Sequence, residues 1–304
     1  MAHSVAVVGV VGLGIMGGAM AGNLIKAGFS VVGYDVAKEA NERLVAAGGR
    51  TAASVAEVVR EAPVTIVSIA TVKALLAVYA EIAQSVRGSA PGRIVIDTCT
   101  MPLEVKQQAS DGLAGSGCVM LDCPVSGTGA QAANKDLVVL GSGDAAAFET
   151  ARPVLEGISR KQFYLGAFGK GSTMKFIANH LVNIHNVAAA EALTLAAKAG
   201  LDPSVVYETL QDSAATSRMF QMRGPLMVAG KFQPPTARID LHLKDLDIIS
   251  GFAEQLRCPV PLFAQATQLY HAAKSQGYGN EDTAAVCKVL ELLAGVTHPT
   301  HSPG

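Results

Sequence analysis

The sequence predicts a doubly wound α/β domain with a parallel sheet, followed by an all-α domain that one long helix joins to it. Up to about residue 166, short apolar runs rich in β-branched residues alternate with segments whose apolar residues recur at helical spacing. Near-continuous apolar strands that alternate with helices are typical of a parallel sheet covered on both faces. Beyond residue 170 only helical patterns remain, which indicates the second domain.

The predicted strands are apolar runs at 4–11, 30–35, 64–69, 93–98, 118–123, 137–141 and 162–166. The joining helix is predicted from Ser172 to about Ala199, with Gly200 as its stop. Its apolar face is expected to carry Ile177, Leu181, Ile184 and Ala188. Later helices are predicted at roughly 203–213, 217–229, 239–256, 261–276 and 282–294. We therefore expect domains at 1–166 and 167–297 and a disordered tail at 298–304.

Composition excludes several classes of function. Half of the residues are hydrophobic, 16% are charged and the formal net charge is −1, which argues against a nucleic-acid groove or a basic membrane surface. Residues 4–25 carry no charge over a length that would span a bilayer, but glycines interrupt them and no positive region precedes them, so we predict a strand, a turn and a helix. The five cysteines show no CxxC pair and no zinc spacing. We expect reduced thiols, no metal site and a cytoplasmic protein.

A glycine-rich turn directly follows the first apolar run. It has the pattern G-x-G-x-x-G and comprises Gly12, Leu13, Gly14, Ile15, Met16 and Gly17. A strand before it, a helix after it and an acidic residue at the end of the next strand are the context of a dinucleotide-binding turn. The glycines allow a tight turn and a close approach of the backbone to a pyrophosphate at the helix N-terminus. The alternative is a turn that only packs helix against strand.

Asp35 ends the second predicted strand and favours NAD over NADP. Its carboxylate can accept hydrogen bonds from both hydroxyls of the adenosine ribose, whereas a 2′-phosphate would meet a like charge. Lys38 is the one nearby residue that argues for NADP, and its alternative role is that of an exposed lysine in the first turn of a helix.

The joining helix carries a candidate acid/base residue. With Ser172 as N-cap, Lys175 lies at the third helical position and Asn179 on the same face. A lysine can exchange the hydroxyl proton during hydride transfer when burial and a helix N-terminus lower its pKa toward neutrality. The alternative is a lysine whose stem covers apolar surface while its amine reaches water.

The segment DCPVSGTGAQAANKDL at 122–137 contains a loop of small residues. Ser126, Gly127 and Thr128 can offer backbone N–H groups and hydroxyls to a carboxylate. An ordinary connecting loop is the alternative interpretation.

Together these segments resemble the β-hydroxyacid dehydrogenase family of proteins similar to 3-hydroxyisobutyrate dehydrogenase. The resemblance covers nearly the whole chain and is carried by GLGIMGGAMAGNLIKAG (12–28), DCPVSG (122–127), GKGSTMKFIAN (169–179) and HLKDLD (242–247). It implies a Rossmann-type domain followed by a helical domain, assembled as a homodimer or homotetramer. It also implies Lys175 as the catalytic acid/base with Asn179 beside it, and Ser126 and Gly127 on the substrate carboxylate. Its implied cofactor contacts are Ile69, Ala70, Thr100 and Lys244.

The chain departs from the family's pattern at a few positions. His180 stands where a second asparagine is frequent, and Cys99 where a serine is common. Thr128 and Lys135 both stand where glycine is usual. These departures leave the reaction class in place and the substrate open.

The expected function is hydride transfer between NAD and a small β-hydroxy acid or its semialdehyde, with a carboxylate or a sulfonate bound by the 126–128 loop. Two alternatives remain at this point. One is an imine reductase on the same scaffold, and the other is a non-catalytic NAD-binding protein, for which Lys175 would matter only to stability.

Overall fold

A computed structural model describes residues 7–87 and 92–297. The predicted tail at 298–304 and residues 4–6 of the first predicted strand lie outside this range. The chain divides into two compact units, one up to Lys175 and the other from Phe176 onward. The predicted domain boundary after residue 166 lies on the N-terminal side of this division.

The first unit is built on a six-stranded parallel sheet with the order β3-β2-β1-β4-β5-β6. Its strands are β1 (Val7–Val11), β2 (Ser30–Tyr34), β3 (Arg50–Thr51), β4 (Val64–Val67), β5 (Arg93–Asp97) and β6 (Cys118–Asp122). The helices that connect them are α1 (Ile15–Lys26), α2 (Lys38–Ala46), α3 (Val55–Glu61), α4 (Val72–Ser85) and α5 (Leu103–Gly112). The strand order reverses between β1 and β4, where ligands of open parallel sheets bind. The doubly wound fold class is confirmed.

The last two predicted strands belong to a second, smaller sheet. It contains β7 (Val125–Ser126), β8 (Val138–Gly141) and β9 (Lys161–Tyr164), with α6 (Gly129–Ala133) and α7 (Ala145–Ile158) between them. β7 is antiparallel to β8, and β8 is parallel to β9. Strand patterns in the sequence do not show which strands pair, so this separation was not predicted.

Apolar side chains fill both faces of the large sheet. Along β5, Ile94 and Ile96 enter one core cluster while Val95 between them enters the other. This alternation follows from the two-residue period of a strand. Because both faces are buried, the strands appear in the sequence as continuous apolar runs.

The second unit is helical. It contains most of α8 (Lys170–Lys198) and then α9 (Pro203–Gln211), α10 (Arg218–Ala229), α11 (Ile239–Gln255), α12 (Pro261–Ser275) and α13 (Val286–Ala294). The predicted stop at Gly200 has φ +82°, and Asp202 caps α9 by accepting a hydrogen bond from the Ser204 N–H at 2.7 Å. None of the helices in the described part of the chain combines the length and apolar character needed to cross a bilayer.

The apolar face that the sequence indicates for α8 is not the face that the helix buries. Ile177 and Leu181 are about half exposed, at 50% and 49%, and Ala188 is exposed. The buried positions include Lys175, Phe176, Asn179, Asn183, Asn186, Val187, Ala190 and Leu193. Periodicity shows which residues share a face but not which face packs within the chain, and here the apolar face that the sequence indicates is largely exposed.

His180 packs in the second unit. Its ring stacks on the ring of Phe263 in α12, with centroids 5.0 Å apart and planes inclined by 11°. Burial lowers the pKa of the His180 imidazole below its usual range. The histidine thus serves as an aromatic packing group at a position where the family often has an amide.

A fully buried ionic cluster lies at the carboxyl ends of β5 and β6. Asp97 and Asp122 occupy paired positions of these adjacent parallel strands. Lys106 of α5 reaches between them, with Nζ 2.9 Å from Asp97 Oδ1 and 2.6 Å from Asp122 Oδ1. Burial alone would lower the pKa of Lys106, but the two carboxylates outweigh it and raise that pKa well above its usual range. Tyr79 of α4 donates to Asp97 Oδ2 at 2.8 Å.

We expect Lys106→Met to lower the free energy of unfolding by about 3–5 kcal/mol, because it leaves two carboxylates in the core without a counter-charge. Denaturant unfolding at neutral pH measures this loss. Arg160→Met is the matched control, since it breaks the exposed pair of Arg160 with Asp136 and should cost no more than about 1 kcal/mol. Equal losses in the two variants would contradict the prediction.

We expect His180→Asn to change how stability depends on pH. Because the folded chain binds a proton at His180 less readily than the unfolded chain, the free energy of unfolding falls as the pH drops below the ordinary imidazole pKa of about 6.5. The asparagine variant lacks this loss. The difference in free energy of unfolding between the wild type and the variant, measured by urea unfolding, should therefore be smaller at pH 5.5 than at pH 8. A difference in free energy of unfolding that stays constant from pH 8 to pH 5.5 would contradict this prediction.

Candidate functional site

The glycine turn lies between β1 and α1, at the point where the strand order reverses. Gly12 has φ +87°, and a Cβ there would come within 2.2 Å of the Ser68 carbonyl oxygen. A Cβ on Gly17 would lie 1.8 Å from the Gly12 carbonyl oxygen. Gly14, at the N-cap of α1, has open space around its Cβ position and gives the helix no side-chain cap. The turn therefore leaves the positive end of α1 accessible to an anion such as a pyrophosphate.

Asp35 is held firmly beside this turn. Its Oδ2 accepts a hydrogen bond from the Leu13 N–H at 2.6 Å, and its Oδ1 accepts one from the Ala37 N–H at 2.8 Å. The Asn41 side chain bonds the backbone of Asp35 on both sides, accepting from its N–H and donating to its carbonyl. Each carboxylate oxygen keeps a further lone pair for a ligand hydroxyl.

Lys38 is exposed and lies 3.5 Å from Glu42, one helical turn further along α2. The neighbouring glutamate offsets its charge, so this exposed pair contributes little positive potential next to Asp35.

The ends of β4 and β5 bring three further predicted residues to the same edge of the sheet. Ile69 and Ala70 follow β4, and Thr100 follows β5. The Ile69 N–H donates to Cys99 Sγ at 3.1 Å, and the Thr98 hydroxyl donates to the Val67 carbonyl at 2.8 Å. The Cys99 sulfur thus accepts a hydrogen bond that links the end of β5 to the end of β4.

The 126–128 loop lies against the glycine turn. A Cβ on Gly129 would come within 2.6 Å of Ile15 Cγ2, and Asn23 of α1 donates to the Ala132 carbonyl of α6 at 2.6 Å. The structure therefore brings the predicted substrate loop next to the predicted cofactor turn.

Within the loop, Thr128 has a structural task. Its N–H donates to Gln131 Oε1 at 3.0 Å and its hydroxyl accepts from the Gln131 N–H at 3.4 Å, which forms a capping box for α6. Ser126 is half buried, and among the described residues its hydroxyl has no hydrogen bond. Ser126 and the exposed Gly127 are therefore the better candidates for contact with a carboxylate.

Lys135 adopts a left-handed conformation, with φ +59°, two residues after the end of α6. Glycine is the residue that adopts this conformation without strain. This backbone requirement accounts for the glycine that is frequent at the position in the family. The side chain is exposed and borders a surface depression that Arg160 also lines.

Lys175 and Asn179 lie one turn apart on α8 and are both buried, at 9% and 8% exposure. The helix begins at Lys170, not at Ser172 as predicted. Ser172 is not an N-cap, because its hydroxyl donates to Asp122 Oδ1 at 2.7 Å and does not accept from the helix. Lys170 is exposed, as expected.

Asp245 is a residue that the sequence did not single out. Its Oδ2 accepts from Asn179 Nδ2 at 3.0 Å, and its Oδ1 lies 3.1 Å from Lys244 Nζ. It fixes the amide of Asn179 so that the amide oxygen remains available as an acceptor. The signal that was present is an acidic residue next to Lys244 in HLKDLD. In residues 7–87 and 92–297, no group of three His, Cys, Asp or Glu side chains is placed to hold a metal.

Comparison with known proteins gives two family matches that together span most of the chain. Residues 7–166 match the NAD-binding domain of 6-phosphogluconate dehydrogenase. Residues 169–290 match the NAD-binding domain of NADP-dependent 3-hydroxyisobutyrate dehydrogenase.

Individual relatives agree with these matches. The chain is 37% identical over 297 residues to L-threonate dehydrogenase of Escherichia coli K12, covering 96% of each chain. It is 31% identical to glyoxylate/succinic semialdehyde reductase 2 of Arabidopsis thaliana, covering 93% of this chain and 79% of that one. The crystal structure of a 3-hydroxyisobutyrate dehydrogenase from Salmonella typhimurium superimposes with a TM-score of 0.84 at 34% identity, covering 93% of this chain and 99% of that one.

The similarity to these three relatives extends over 93–96% of this chain. The chain belongs to the β-hydroxyacid dehydrogenase family and is an NAD(P)-dependent hydroxyacid dehydrogenase.

Proposed function

We propose that the chain transfers hydride between NAD and a small β-hydroxy acid or its semialdehyde, with Lys175 as the general acid/base. The observation that carries this proposal is the burial of Lys175 on α8, one turn from Asn179. An ordinary lysine keeps its amine in water, and burying one costs stability. Ionisable groups in such environments occur preferentially at functional sites.

In the direction of oxidation, the amine of Lys175 accepts the proton of the substrate hydroxyl, and in reduction it returns that proton to the carbonyl oxygen. The nicotinamide of the cofactor supplies the hydride acceptor or donor. Asn179 offers its amide oxygen on the same face of the helix, because Asp245 holds the amide nitrogen. Ser126 and Gly127 provide donors for the carboxylate, or for a sulfonate in its place.

NAD is the proposed cofactor, on the strength of Asp35. The carboxylate is fixed by the N–H groups of Leu13 and Ala37 and cannot turn away from a ligand without losing them. A ribose with two free hydroxyls suits such an acceptor, and a 2′-phosphate would meet its negative charge. We expect kcat/KM to be higher with NAD+ than with NADP+.

The first substrates to assay are those named for the relatives of this chain. L-Threonate comes first, because L-threonate dehydrogenases at 34–37% identity align with this chain over 93–96% of its length. The panel should also contain 3-hydroxyisobutyrate, glycerate, L-serine, 4-hydroxybutyrate and dihydroxypropanesulfonate.

We expect Lys175→Ala to lower kcat for the accepted acid by roughly 10²- to 10⁴-fold, because it removes the proton acceptor of the reaction. Initial rates of NAD+ and NADP+ reduction with the panel measure this effect. Lys170→Ala is the matched control, since it removes an exposed lysine from the same helix and should leave kcat within about twofold.

Other outcomes select the alternatives. Turnover that survives Lys175→Ala would remove Lys175 from the mechanism. Cofactor binding without turnover of any acid would favour the non-catalytic protein, and reduction of a cyclic imine in place of the acids would favour the imine reductase.

A homodimer or homotetramer is the second part of the proposal. One face of α8 exposes an apolar stripe that consists of Met174, Ile177, Leu181 and Leu195. These side chains are 40–70% exposed and recur at helical spacing along the helix. Exposed apolar stripes of this length are typical of surfaces that another chain covers.

We expect the double substitution Leu181→Glu/Leu195→Glu to dissociate the oligomer, because it places charges in the proposed contact. Sedimentation velocity at micromolar concentration measures the change. Val45→Glu on α2 is the control, since it adds a charge at another exposed apolar position, and it should leave the assembly intact. A wild-type chain that sediments as a monomer would refute the proposal.

A further inference from the structure

The carboxylate of Asp122 accepts four hydrogen bonds at the start of α8. Its Oδ2 accepts from the Ser172 N–H at 2.8 Å and from the Ser142 hydroxyl at 3.1 Å. Its Oδ1 accepts from the Ser172 hydroxyl at 2.7 Å and from Lys106 Nζ at 2.6 Å. All four side chains are fully buried, and none of them takes part in the proposed reaction.

These bonds complete the N-terminus of α8. The first four N–H groups of a helix lack partners within the helix. Here the N–H of Lys170 donates to the Ala167 carbonyl at 3.1 Å, and the N–H of Thr173 makes the first i→i−4 bond of the helix, to the Gly169 carbonyl at 2.9 Å. That of Gly171 donates to the Ser142 hydroxyl at 2.9 Å, and that of Ser172 donates to Asp122. Two of the four groups therefore depend on side chains from β6 and the residue that follows β8.

The start of the helix lies directly on the backbone of these strands. A Cβ on Gly171 would come within 2.2 Å of the Leu140 carbonyl oxygen and 2.6 Å of the Asp122 carbonyl oxygen. Since any side chain would force the helix away, Gly171 permits a contact that leaves the first turn of α8 no room to shift toward the strands.

The charges of the cluster also attract the helix. Asp97 and Asp122 carry two negative charges in the core and Lys106 one positive charge, so one negative charge remains unbalanced. The N-terminus of α8 has partial positive charge and meets the Asp122 carboxylate. Lys106 and the helix thus share the neutralisation of one buried acid.

We propose that Asp122 is a positioning residue for Lys175, and that it acts through Ser172. Lys175 lies three residues after Ser172, one turn along the same face of α8. Anchoring Ser172 at two atoms fixes both the position and the rotation of this turn about the helix axis. The inference rests on the proposed role of Lys175 and adds the contacts that fix the position of its amine. Misplacement of a reacting group by about 1 Å can cost roughly 10²-fold in rate.

The test uses Ser172→Ala and Ser142→Ala in the full-length chain. Each removes one hydroxyl that reaches Asp122 and leaves the ion cluster in place. We expect kcat for the accepted acid to fall roughly 10- to 100-fold, while KM for the acid and for NAD+ changes by less than about twofold, because the anchor acts on the alignment of the amine in the transition state and not on binding.

Ser116→Ala is the matched control, because Ser116 is a buried serine of the same unit whose hydroxyl donates to the Leu113 carbonyl at 2.6 Å and does not contact α8. Hydrogen exchange of the segment 169–180 supplies a readout that does not depend on turnover. It should be faster in both anchor variants and unchanged in the control.

Two results would overturn the inference. One is a fall in kcat no larger than that of Ser116→Ala at matched Tm. The other is exchange of the 169–180 segment that stays at the wild-type rate. Loss of the proposed function would appear differently, as full activity of Lys175→Ala, and the exchange measurement would still decide whether Asp122 holds the helix.

Discussion

The contact of Lys106 with two buried carboxylates is the constraint on which the first unit depends. Adjacent parallel strands in register place Asp97 and Asp122 side by side, where two like charges could not remain in a dry core. Lys106 relieves this repulsion from α5, and Tyr79 adds a hydrogen bond from α4. Through Asp122 the same cluster also holds the first turn of α8. The cluster therefore contacts two strands, β5 and β6, two covering helices, α4 and α5, and the candidate catalytic helix α8.

The candidate site gathers around the carboxyl edge of the same sheet. The glycine turn after β1, the strand-end Asp35 and the ends of β4 and β5 all lie there, because parallel strands end together. The 126–128 loop joins them through the contact of Gly129 with Ile15. One edge of the sheet thus presents an open helix N-terminus, an acidic acceptor and a hydroxyl-bearing loop.

Much of this arrangement was readable from the sequence, and the remainder was not for physical reasons. Apolar runs and glycine spacing predicted the fold class and the dinucleotide turn, because both patterns follow from local backbone requirements. The role of Ser172 was misjudged, because the choice between capping its own helix and donating to Asp122 depends on a partner 50 residues away. Asp97 and Asp122 could have been noticed as acids that end two apolar strands. Their counter-charge, Lys106, however, comes from helix α5, and sequence spacing does not show that it contacts both acids.

The fixation of Asp35 has a consequence for any redesign of cofactor choice. Both carboxylate oxygens already serve as acceptors for backbone N–H groups of the turn and of the segment before α2. A neutral or smaller side chain at this position would leave the N–H groups of Leu13 and Ala37 without those acceptors, and the turn that begins at Gly12 would lose a restraint. Asp35 thus supplies both the negative charge next to the cofactor turn and the hydrogen bonds that hold the turn in place. An exchange of cofactor in this chain calls for a rebuilt loop with a substitute acceptor, and a single replacement would alter folding and recognition together.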